Sequence, residues 1–195
     1  CQTLLAYKTI DGKSSDRALH TLIFDDPECR PFYYKNGKSF KDYHKEGEIF
    51  WHKYVTYTEG MSDYWDYSFF NVSVIRYADV LLLYAECLND KGETTEAINI
   101  INKVRARVNV PALPLTMSKA EVLKHLQDKE RPCELALEGS RWYDLVRWGI
   151  VEETLKAHNK PFVENYVDTK HQLFPIPHSE FLLNPDWEQN PNYSK

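Results

Sequence analysis

The sequence predicts a mainly α-helical protein, built on antiparallel helical hairpins with long irregular loops and an extended C-terminal tail. Three observations point there. Val74 to Leu88 is apolar almost all round, Thr94 to Val108 carries an apolar stripe at Ala97, Ile101, Val104 and Val108, and prolines at 161, 175, 177, 185 and 191 punctuate the chain beyond Lys160. Apolar residues three and four apart share one face of a helix. Proline lacks a backbone N–H and fixes φ, so repeated prolines exclude a long helix from the tail.

Residues 1–70 hold short, mixed apolar runs, of which Thr21 to Phe24 suits a small strand. The helices of 74–88 and 94–108 flank the segment NDKGE, where Gly92 is free to take a left-handed turn, and together they make a hairpin. The span Ala78 to Pro111 is 34 residues, with Tyr84, Ala85, Gly92, Ala97 and Ile101 near the offsets where a tetratricopeptide-like (TPR-like) repeat places its packing residues. One such hairpin cannot bury both of its faces, so partners are expected from later helices or from sequence ahead of this chain. Ser118 and Glu121 form a capping box for a helix running through Leu126 toward Pro132, where the missing donor is expected to kink or break it. Gly139 with Ser140 marks one helix ending and another beginning, and Gly149 closes the latter. The tail is expected to pack through Phe174, Ile176, Phe181 and Trp187.

With 195 residues, 43% hydrophobic and 27% charged, the chain is sized for one domain: a loop and short-strand region over 1–70, a helical core over 71–150 and the tail over 151–195. Net charge is −5 and the basic residues are dispersed or paired, so nucleic acid is excluded as a partner. The longest apolar stretch, Val80 to Tyr84, is too short to cross a bilayer, and no basic n-region with an apolar h-region opens the chain. Four cysteines, Cys1, Cys29, Cys87 and Cys133, show no CxxC pair, and read as isolated thiols or one incidental bridge.

The run Glu130 to Gly149, ERPCELALEGSRWYDLVRWG, crowds three glutamates, an aspartate and three arginines beside two tryptophans. On a helix, Glu130, Glu134 and Glu138 stack like charges that cations must relieve, and Arg131, Arg141 and Arg147 are the expected cations. Arg141, Asp144 and Arg147 continue the spacing as an alternating ladder, so the seven residues read as a structural ion network. Glu134 and Glu138 as a glycosidase pair is the weaker reading, because a general acid needs a raised pKa and adjacent guanidinium lowers it. Histidines at 20, 44, 52, 125, 158, 171 and 178 form no HExxH or HxxxH pattern, and no GxSxG or phosphate-cradling loop exists. Neither enzymatic activity, nor a metal, nor a cofactor is expected.

One stretch suits a ligand. Phe50 to Phe70, FWHKYVTYTEGMSDYWDYSFF, holds Trp51, Tyr54, Tyr57, Tyr64, Trp65 and Tyr67 among short polar side chains. Aromatic faces stack on the C–H face of a pyranose while carboxylates and amides meet its hydroxyls, so these six rings are candidates for binding an oligosaccharide. The same rings could instead anchor a long loop to the core, and the alternation over 64–69 equally fits a strand with one face buried.

The charged run also resembles the ER..EL..EG.R..DL.RWG signature of the SusD/RagB family. VIRYADVLLLYAECLND, INIINKVRARVNVPAL and LFPIPHSEFLLNPDWEQNPNY resemble three further family blocks in the same order, and DDPECRPFYY is similar to the segment preceding them. Pro132 departs from the family pattern, which keeps a helix former there. The resemblance implies a SusD-like C-terminal region whose N-terminal part lies outside this chain. It also implies a non-catalytic outer-membrane lipoprotein, exposed on the surface of a Bacteroidetes-type Gram-negative bacterium, that binds oligosaccharides for polysaccharide utilisation. The implied partner is a SusC-like TonB-dependent transporter, and the implied membrane link is a lipid anchor. Cys1 is read as an internal residue of a longer protein rather than as the acylated one. Peptide or other nutrient binding of the RagB type, or a helical-repeat scaffold docking proteins, are the alternatives.

Overall fold

The computed structural model describes residues 2–29, 39–54 and 73–194, and divides the chain into two compact units, Cys1–Glu138 and Gly139–Lys195. The described residues are mainly helical, with one two-stranded sheet among them.

In the first unit, α1 (Gln2–Ala6) and α2 (Asp16–Thr21) lead into β1 (Leu22–Ile23), which pairs antiparallel with β2 (Phe50–Trp51) in the register Leu22 with Trp51 and Ile23 with Phe50. Ser15 caps α2, its hydroxyl accepting from the Ala18 N–H at 3.3 Å. The apolar run at 21–24 thus supplies a strand, although a very short one. Leu4, Ala18, Leu22, Phe24, Cys29 and Cys133 share a buried cluster.

The hairpin forms as its periodicity predicts. Helix α3 (Tyr77–Asp90) and α4 (Thr94–Arg107) are joined by a turn in which Gly92 adopts φ 88°, a conformation a side chain would strain. Their facing residues Leu82, Ala85, Leu88, Ala97, Ile98, Ile101 and Val104 form the main core. Part of the covering partner comes from later sequence: α5 (Lys119–His125) and the turn after it contribute Val122 and Leu126. Side-chain amides stitch the loops to this core, Asn89 Nδ2 donating to the Lys119 carbonyl at 2.9 Å and Asn102 exchanging two bonds with Leu113. The helix begins at Tyr77 rather than at Val74, since Val74 and Ile75 lie exposed ahead of it, and Tyr77, Val80 and Tyr84 face outward from α3.

Ser118 and Glu121 make the capping box of α5, with bonds of 3.3 and 2.7 Å. Pro132 does not break the helix. Residues Leu126–Glu130 widen into a π-helical turn, in which the Arg131 N–H reaches back to the Leu126 carbonyl, and the chain continues into α6 (Arg131–Glu134) with Pro132 inside its first turn. The wider turn accommodates a residue that an α-helix interior excludes, because a first-turn N–H needs no intrahelical partner.

The second unit holds α7 (Arg141–Trp148), closed by Gly149 at φ 67°, and α8 (Val151–Ala157), which bury Leu145, Val151 and Leu155 against Trp142, Val163 and Tyr166. Its proline-punctuated tail runs irregularly between short helical pieces, Pro161–Asn165, α9 (Asp168–His171) and α10 (His178–Leu183). Two pieces start at a proline, Pro161 within the first turn and Pro177 as the cap, where its fixed φ suits helix entry. Phe181 is buried, whereas Phe174 and Trp187, expected to pack, are exposed. Side-chain amides bonded to the backbone hold the tail instead: the Gln189 side chain accepts from the N–H of Ile176 and donates to its carbonyl, and Asn190 Nδ2 donates to the Phe174 carbonyl.

Candidate ligand-binding site

The three glutamates of the charged run meet in one cluster, and the cations that relieve them come from distant elements. Arg17 on α2 forks between two of them, Nη2 to Glu130 at 2.7 Å and Nε to Glu134 at 2.9 Å. Arg105 on α4 and His125 at the end of α5 reach the other Glu130 oxygen at 2.7 and 2.9 Å. Arg107 and Arg76 bond the remaining Glu134 oxygen at 2.7 and 3.1 Å, while Glu138 receives Arg76 at 2.7 Å and Lys53. Of the expected ladder, Arg131 takes another partner while the Asp144 to Arg147 step forms. Arg131 reaches Asp79 on α3 at 2.8 Å, and the Asp144 to Arg147 step, at 3.0 Å, lies in the second unit. Helical spacing shows which residues share a face, but tertiary packing chooses the partners.

Burial makes the cluster structural. The Arg17 and Glu130 side chains are 2% and 0% exposed, and two guanidiniums lie against the Tyr7 ring, Arg17 at 5.6 Å and Arg105 at 5.3 Å from its centroid. Burial pushes the Glu130 carboxyl upward, but the His125 bond and the charges of Arg17 and Arg105 outweigh it and bring it down to about 2. Burial likewise opposes the charge on Arg17, yet Glu130 and Glu134 hold it above its usual value. Every carboxylate oxygen of Glu134 and Glu138 already has a cation on it, so neither is placed as a glycosidase acid.

Glu130 sets an acid limit. Its folded pKa of about 2 lies below the ordinary 4.5, so its contribution is fully present above pH 4.5 and is lost as pH falls toward 2. The span corresponds to about 3 kcal/mol. Melting temperature measured from pH 5 to pH 2 should fall less steeply in Glu130→Gln than in the parent protein; equal slopes would remove Glu130 from the acid response.

Of the six candidate rings, Trp51 and Tyr54 are described, whereas Tyr57, Tyr64, Trp65 and Tyr67 lie outside the described residues. Trp51 closes β2 with 43% of its surface exposed, and Tyr54 follows at φ 68°, half-buried. Between them, His52 donates its N–H to the Thr21 carbonyl at 2.9 Å and turns its ring toward the Leu19 carbonyl, Nδ1 at 3.3 Å. That ring helps line a cleft of about 550 Å³ together with Asp16, Leu19, His20, Pro27 and Glu28. Two carboxylates and two imidazoles in the cleft suit a sugar's hydroxyls, and the exposed Trp51 indole, which is not one of the lining residues, offers a separate stacking face. Nothing in the sequence pattern identified Asp16, His20 or Glu28, since their approach to His52 depends on β1 pairing with β2.

Among the described residues no group of three or more His, Cys, Asp or Glu is arranged to hold a metal ion, and no helix is long and apolar enough to cross a membrane. Cys29, Cys87 and Cys133 are free thiols, and burial pushes Cys133 up to about 12, which leaves it protonated and unreactive.

Comparison with known proteins agrees with this architecture. The family model described as the SusD family matches residues 31–193. SusD-like protein P38 of Formosa agariphila is 37% identical over 130 residues, covering 63% of this chain and 25% of that protein. A crystal structure of a SusD superfamily protein from Bacteroides vulgatus superposes with a TM-score of 0.78 at 29% identity, covering 98% of this chain and 42% of that one. A SusD homologue from Bacteroides thetaiotaomicron is 36% identical with a TM-score of 0.51, covering 61% and 26%. The chain thus spans about a quarter of the length of the curated relatives it matches.

Proposed function

This chain belongs to the SusD family, and on that basis we propose that it is part of a non-catalytic nutrient-binding protein that captures oligosaccharides at the bacterial cell surface. It hands them to a SusC-like TonB-dependent transporter in the outer membrane, to which the whole protein is held by a lipid anchor. The observation that carries the oligosaccharide reading is the exposed Trp51 indole, next in sequence to His52, which lines a cleft with Asp16, His20 and Glu28. Stacking and hydrogen bonding need no cofactor.

Titration calorimetry of the full-length protein against oligosaccharide and peptide panels tests this. Trp51→Ala should weaken oligosaccharide binding by about 2 kcal/mol or more, roughly thirtyfold, with an unchanged melting temperature. Heat from peptides alone would favour a RagB-type peptide binder. The outward apolar face of α3, with Tyr77, Val80, Leu83 and Tyr84 exposed, favours a second reading as a helical scaffold that docks proteins. Transporter binding without any small ligand would support that reading.

A further inference from the structure

Trp51 and Tyr54 owe their placement to little local structure. Strand β2 is two residues long, and so short a ladder is marginal by itself. Past it, the Thr21 carbonyl accepts the His52 N–H at 2.9 Å and the Lys53 N–H at 3.4 Å, and then Tyr54 turns at φ 68°. A tyrosine keeps a left-handed conformation only where its surroundings over-determine it.

The side chain between the two aromatics provides that constraint. Lys53 Nζ donates to a Glu138 carboxylate oxygen and to the Glu134 carbonyl at 3.4 Å, both more than 80 residues away in sequence. Arg76 already holds the other Glu138 oxygen at 2.7 Å and the Glu134 carbonyl at 3.0 Å, so the lysine docks on a fixed acceptor. The geometry points to Lys53 as the positioning residue of the binding ledge, tying the turn between Trp51 and Tyr54 to the glutamate network so that the rings are held ready for ligand. This rests on the oligosaccharide reading of Trp51. Rings fixed before binding lose less freedom when the sugar arrives, so the anchor acts on affinity. Removing the lysine leaves the Glu138 carboxylate, 8% exposed, still paired with Arg76 at 2.7 Å, so the loss of global stability is smaller than where a buried carboxylate is left without a cation.

Full-length wild-type, Lys53→Met, Lys53→Arg and Trp51→Ala proteins should be compared by calorimetry, melting and amide hydrogen exchange over residues 48–54. Lys53→Met is expected to weaken oligosaccharide binding about tenfold with a small drop in melting temperature, as ordering of two side chains shifts onto the binding step. Exchange over 48–54 should quicken in the same variant, and arginine, which can reach the same carboxylate, should restore both readouts. Wild-type affinity in Lys53→Met alongside lost binding in Trp51→Ala overturns the assignment of Lys53 alone. No heat from the wild-type protein with any oligosaccharide overturns the parent reading instead. Unaltered exchange in Lys53→Met removes the anchor whatever the ligand.

Discussion

Replacing Arg17 with methionine should destabilise the first unit by about 3–5 kcal/mol, read as a drop in denaturation midpoint. The guanidinium is 2% exposed and bridges Glu130 and Glu134, so its loss leaves two buried carboxylates short of charge at once. Methionine matches the apolar length of arginine, which separates the missing charge from a missing volume. Lysine should not rescue the protein, because a single ammonium cannot reproduce the planar fork that spans two acceptors at 2.7 and 2.9 Å. The size of the loss reflects stranded charge rather than the net worth of the pair. A change under about 1 kcal/mol would mean that Arg17 belongs to solvent and not to the fold.

Leu82→Ala should cost about 2–5 kcal/mol by leaving a cavity where the hairpin meets α5. Leu82 is wholly buried in the cluster with Ile98, Ile101, Val122 and Leu126, so little can relax into the space. Two residues earlier on the same helix, Val80 faces outward, and Val80→Ala should stay within about 0.5 kcal/mol. Equal losses at both positions would show that the outer face of α3 is covered in the protein as tested.

The hairpin was readable because its signal is local. Apolar spacing, Gly92 and the Ser118 capping box each act within a few residues, and the folded chain uses all three. The glutamates were likewise legible as a charged helical face, but their partners were not, since Arg17 lies over a hundred residues from Glu130 and no periodicity links them. Pro132 shows a local rule yielding to local geometry: the π-helical turn before it carries the chain on where a break was expected. In the tail, prolines read as helix breakers serve in two places as helix starters. For the ligand site, composition singled out an aromatic stretch without saying which rings face solvent. The β1 to β2 pairing exposes Trp51 and brings His52 to the cleft, and that pairing joins residues nearly thirty positions apart.

Within the SusD fold, the glutamates of the charged run tie together elements of the first unit, and the proposed ligand site is the Trp51 ledge. The most direct test is oligosaccharide affinity of Glu130→Gln in the full-length protein, measured by calorimetry at a low temperature where it stays folded, beside its melting curve. The expected result is a clearly lower melting temperature with wild-type affinity. Binding lost at an unchanged melting temperature would contradict it and move the ligand site to the glutamates.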